Sequence, residues 1–118
     1  MNRENTEAWT KAFVDTFIMA VSASTILDLK ELKMEADHDE DFFEAFIKNT
    51  SLFAKACESQ DHKEHFPYRK VWVSTVTTIL TICIQQAVLN KVDIVAASKY
   101  RLTEVEKLIL ENKRKGSV

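Results

Sequence analysis

The chain has 118 residues, 46% of them hydrophobic and 29% charged, with a net charge of −2. That length suits one domain with a single core and leaves little room for a deep enzymatic cleft. The composition excludes disorder except at frayed ends, about 1–5 and 112–118.

The net charge conceals a division. Residues 1–60 carry 6 basic and 12 acidic side chains, whereas residues 61–118 carry 10 basic and 6 acidic. Opposed halves attract each other within a bundle or across a homodimer, and the acidic half argues against indiscriminate nucleic-acid binding. The chain holds a single glycine, Gly116, and a single proline, Pro67. Sheets need many turns, and tight turns need residues that tolerate positive φ. The expectation is therefore an all-α bundle of four to five helices, one domain over 1–118, folded in two halves around Pro67.

In chain order, Asn5 or Thr6 is placed to cap the first helix, with Glu7 in its first turn. Trp9, Phe13, Phe17, Ala20, Ser24 and Leu27 recur at three- and four-residue spacing, and Val14, Ile18, Val21 and Leu29 widen that face. This predicts a helix buried on more than one side and continuing to about Leu32. An acidic link follows, in which Asp37 or Asp39 can cap a second helix running to about Glu58. Phe42, Phe46, Phe53 and Cys57 form its predicted core stripe, flanked by Phe43, Ile47 and Ala54.

Pro67 fits the first turn of a third helix. From Val71 to Asn90 nothing is charged, and the density of β-branched residues would suit a strand. About twenty residues without a turn former exceed a usual strand, however, so a long central helix near 68–98 is expected. Ser74, Thr77, Thr78, Thr81 and Gln85 gather on one side of it, and apolar residues cover the rest. That arc is wider than three short neighbours should cover, which predicts exposed apolar surface on the third helix. The run approaches membrane-spanning length, but its hydroxyls and Gln85 and Gln86 favour a buried bundle helix over a lipid-facing span. Near Arg101 the chain is expected to turn, and the TEVE box of Thr103 and Glu106 to start a short last helix through Leu110.

The candidates for chemistry are few. His62 and His65, spaced i, i+3 in DHKEH, are weak metal candidates, and His38 lies at the far end of a second helix about 30 Å long. Cys57 and Cys83 lack CxxC spacing and read as buried free thiols of a reducing compartment. There is no Gly-rich phosphate loop, HExxH or nucleophile elbow. The N-terminal MNRENTEAWTKAF has no apolar signal-peptide run, so cytoplasmic residence without a membrane is expected.

The sequence thus points to a non-catalytic interaction or regulatory module (an adaptor, an immunity-type protein or an inhibitor of a host factor). It is expected to be homodimeric and to need no cofactor or metal. It would meet a protein partner through acidic residues, namely Glu31, Glu35, Asp37, Asp39, Glu40, Asp41 and Glu44, together with apolar helix surface. The alternative is a nucleic-acid-associated regulator using Arg101, Lys107, Lys113, Arg114 and Lys115, although cations also favour helix C-termini for their own sake.

Overall fold

The computed structural model describes residues 3–33, 41–61 and 67–116. Among them are four helices and no strand: α1 (Arg3–Ile26), α2 (Phe42–Asp61), α3 (Tyr68–Leu89) and α4 (Ile94–Arg114). The all-α expectation holds. The helix α3 lies between α1 and α2 and packs on both, and α4 packs against α1.

The central position of α3 explains its composition. From Thr75 to Cys83 every residue is buried. Phe13 of α1 joins Val76, Ile82 and Cys83 of α3 among the most deeply buried side chains. The hydroxyls in this dry region bond to the preceding turn of their own helix. Thr75 donates to the Val71 carbonyl at 2.7 Å, Thr78 to Ser74 at 2.9 Å and Thr81 to Thr77 at 2.8 Å. Each of these three hydroxyls is thereby satisfied without a neighbouring helix. The expected exposed apolar arc on α3 is largely covered by α1 and α2; its exposed large apolar side chains are Tyr68 in the first turn and Val88 and Leu89 in the last.

The predicted stripe of α2 does pack on the core, Phe42 within it and Phe46, Phe53 and Cys57 against it, but small residues are buried more deeply. The buried positions of the helix are Phe42, Ala45, Asn49, Ala56 and Ser59. Apart from Phe42 these are small or compact, so the α2 backbone approaches α3 closely. Phe46, Phe53 and Cys57 are half-buried beside that contact, and Phe43 is exposed. At the amino end of α2, Trp9 meets Phe42 edge-on with ring centroids 5.1 Å apart, and Phe42 stacks on Phe46 at 6.1 Å.

Helix boundaries follow from caps, and several differ from expectation. The helix α1 is already under way at Arg3 and ends at Ile26, six residues before Leu32. Asp37 and Asp39 lie outside the described residues; Asp41 caps α2, its Oδ2 accepting from the amides of Phe43 at 3.1 Å and Glu44 at 3.4 Å. The helix α3 stops at Leu89 rather than near 98, and Asp93 caps α4 by accepting from the Val95 and Ala96 amides, both at 3.1 Å. The TEVE box is unused. Thr103 donates to the Lys99 carbonyl at 3.0 Å within one unbroken helix, because nothing between Tyr100 and Leu102 breaks it and Asp93 supplies the start. The helix continues to Arg114, through part of the tail expected to fray.

The shortage of glycine leaves a mark at these ends. A helix that closes with a residue in the left-handed region prefers glycine there. Gly116 fills that role after α4 with φ 69°, but Asp28 (φ 53°) and Lys91 (φ 56°) fill it after α1 and α3. The Leu29 amide bonds back to the Ser24 carbonyl and the Val92 amide to Ala87, at 2.9 and 2.8 Å. Leu29 and Val92 then turn into the core, so packing holds the strained residues in place. Replacing Lys91 by glycine should raise stability by about 0.5–1 kcal/mol, since a side chain at positive φ costs about that much; Lys91→Ala should not. A urea-denaturation midpoint compared across the three proteins measures it.

Candidate interaction surface

The helix α4 is the exception in this bundle. None of its 21 residues is buried. Its inner side follows Ile94, Ala97, Arg101 and Glu104, all partly covered, and the bundle's most specific cross-helix ion pair lies there. Arg101 reaches Asp15 of α1 with two parallel hydrogen bonds, Nε to Oδ1 at 2.9 Å and Nη2 to Oδ2 at 3.3 Å, and Glu104 stands 3.8 Å from Nη1. The fork geometry fixes the rotation of α4 about its own axis. Those bonds also hold the guanidinium pKa above its usual value.

With that rotation fixed, a second side of α4 faces away from the bundle. At 100° per residue, Val95, Leu102, Val105 and Ile109 share it, and all four are exposed, Leu102 by 53% and Ile109 by 54%. Leu108 and Leu110 are exposed on either side of this stripe. Large apolar side chains at i, i+3 and i+7 on one free face make an uncovered seam. This is where the structure places the apolar surface that the sequence suggested on the third helix.

A second apolar feature is a crevice of about 330 Å³ between α1 and α2. Val76 and Ile79 of α3 form its floor, Ala20 and Ala23 one wall, and Phe46 and Phe53 the other. Asp15, Thr16 and Thr50 also line it, and alanines opposite phenylalanines leave the walls poorly matched in length. It is open to solvent.

The residues singled out from sequence fare unevenly. His38, His62, His65, Glu35, Asp37, Asp39 and Glu40 lie outside the described residues. Among the described residues no group of three His, Cys, Asp or Glu side chains could hold a metal. Asp41 turns its carboxylate onto backbone amides as a cap, Glu44 is exposed in the first turn of α2, and Glu31 pairs with Arg69 at 2.7 Å. That hydrogen bond and charge hold the Glu31 carboxyl below its ordinary pKa. Of the basic set, Arg101 is taken up by Asp15. Lys107, Lys113, Arg114 and Lys115 are exposed near the end of α4; Lys107 and Arg114 share a side of it, about 100° from Lys113. Burial pushes the Cys83 thiol up to about 12, which removes it from thiolate chemistry. By length and composition α3 could cross a membrane, yet more than half of that stretch is buried inside the bundle.

Sequence reasoning missed the α4 seam because it broke the helix at Thr103. The signal was present: Val95, Leu102 and Ile109 recur at seven-residue spacing across that supposed break. Comparison with protein-family models, curated proteins and solved structures found no match.

Proposed function

We propose that this chain is a non-catalytic protein–protein interaction module of the cytoplasm, and that its partner covers the free face of α4. One observation carries the reading. A helix of 21 residues buries none of them while presenting Leu102, Val105 and Ile109 in a row. In proteins most helical stability comes from packing an apolar face rather than from propensity. Leu102 and Ile109 are little more than half exposed, so covering each would contribute about 1 kcal/mol before the costs of association. Two free thiols, one of them buried, agree with a reducing compartment.

The acidic residues of the α1–α2 half then serve as long-range steering for a basic partner surface rather than as the contact itself. A nucleic-acid role draws less support, because Arg101 is committed to Asp15 and Lys113 lies about 100° around α4 from the side that Lys107 and Arg114 share.

A photo-crosslinking amino acid at position 102 tests the reading in cells that make the protein. Discrete protein adducts are expected from position 102 and not from position 107 on the opposite side of α4. Leu102→Gln combined with Ile109→Gln should lower adduct yield from position 105 ten-fold or more while leaving the helical circular dichroism unchanged. Absence of any protein adduct at position 102 overturns the proposal.

A further inference from the structure

The charges beside the α4 seam say what lies on it. Lys99, Glu106 and Lys113 follow one edge of the apolar row at seven-residue spacing. All three are exposed, and none makes an ion pair among the described residues. In heptad terms Val95, Leu102 and Ile109 occupy one seam position, and Ser98, Val105 and Asn112 the other. The edge carrying Lys99, Glu106 and Lys113 is therefore the edge that faces its own counterpart when two such helices pair antiparallel.

Resting on the interaction reading above, we propose that the occupant of this face is α4 of a second copy, lying antiparallel, with Lys99 of each copy against the partner's Glu106. The register follows from the spacing. Setting Lys99 opposite the partner's Glu106 places Leu102 against the partner's Val105, Ile109 against the partner's Ser98, and Val95 against the partner's Asn112. Each relation occurs twice by the two-fold symmetry. The two helices then overlap along nearly their whole length. Centring the pair on Glu106 instead would set glutamate against glutamate and lysine against lysine. Centring it between Glu106 and Lys113 would leave half of each helix unpaired. A parallel pair would need Arg101 as the partner of Glu106, and Arg101 is already held by two hydrogen bonds to Asp15.

The surface available agrees with a dimer. The chain exposes 8623 Å² for 13.6 kDa, where a compact monomer of that mass exposes about 6,600 Å². Its radius of gyration is 16.3 Å, against about 13.5 Å for a compact domain of this length. A standard interface hides about 600–1,000 Å² per partner, which the excess readily supplies. Six seam layers with two charge pairs at one edge also make an isologous contact, which closes at two copies and does not extend into filaments.

Sedimentation equilibrium of the full chain tests the proposal, with a dimer of twice the 13.6 kDa chain mass expected at about 100 µM. Lys99→Glu and Glu106→Lys each set like charges together twice per dimer and should each weaken it about ten-fold or more. Combining both changes in one chain should restore wild-type association, and mixing the two single variants should give a heterodimer tighter than either homodimer. Both variants lie on exposed helix surface, so unchanged helical circular dichroism confirms that they fold. A dimer indifferent to both charge changes overturns the antiparallel register, and a monomer at every concentration overturns self-pairing. If the position-102 adduct then has the mass of a different protein, the interaction reading stands while this inference falls.

Discussion

Replacing Phe13 with alanine should cost about 3–5 kcal/mol, the range expected for losing a buried aromatic ring. Phe13 is fully buried, packs edge-on against Trp9 at 5.8 Å, and belongs to the cluster that joins α1 to α3. Its removal forfeits the transfer of an aromatic ring and leaves a cavity that helices on both sides cannot close. A domain of this size holds about 5–15 kcal/mol in total, so the variant should stand near the edge of folding. Urea denaturation measures the loss. Phe43→Ala provides the contrast: 59% exposed, it should change stability by less than about 1 kcal/mol. Equal losses for the two would refute the placement of α1 against α3.

The second large effect lies at alkaline pH. The Cys83 thiol is fully buried, and desolvation of its thiolate raises the pKa from 9.0 to about 12. Below pH 9 the thiol is neutral in folded and unfolded chains alike, and its contribution is fully present. Above pH 9 the unfolded chain releases the proton while the folded chain keeps it. Stability should then fall by about 1.4 kcal/mol per pH unit as pH rises toward 12. Lysines and tyrosines titrate in the same range, so the decisive quantity is the difference from Cys83→Ala, whose stability should lack this component of the slope. The same burial sets reactivity. At pH 8 a thiol reagent should label the half-buried Cys57 and reach Cys83 only as the chain unfolds. Rapid labelling of both thiols in the folded protein would contradict the central place of α3.

Both predictions depend on α3 being the core of the bundle, and that much was legible from residues 71–90. An uncharged run of that length, lacking glycine and proline, in a chain this small has only a central helix as its stable solution. What was not legible is which neighbours cover it. Helical periodicity names the apolar side of each helix without saying how near another backbone can come. On α2 the phenylalanine stripe does pack on the core, yet the most deeply buried positions are Ala45, Ala56 and Ser59. Small residues pack closely because they leave room, and they contribute little to an apolar pattern.

Local capping chemistry misled in a related way. The TEVE sequence at Thr103 has the composition of a helix start, but a cap forms only where the chain leaves helical geometry. The chain does so at Asn90–Asp93, where Lys91 takes the left-handed conformation and Asp93 accepts two amides. Had the helix been drawn from Asp93, the seven-residue recurrence of Val95, Leu102 and Ile109 would have stood out. The apolar surplus would then have been assigned to α4 and not to α3.

The sequence by itself determined the fold class and the rank of α3, because both follow from what the chain lacks: turn-forming residues throughout, and charge along one long stretch. Only the tertiary structure decided where apolar surface is left over. That depends on subtraction, the apolar side of each helix minus what its neighbours cover, and the second quantity does not exist until helices are placed. Here α1 and α2 cover α3, the Arg101–Asp15 fork sets the rotation of α4, and the row through Leu102 and Ile109 is left facing water.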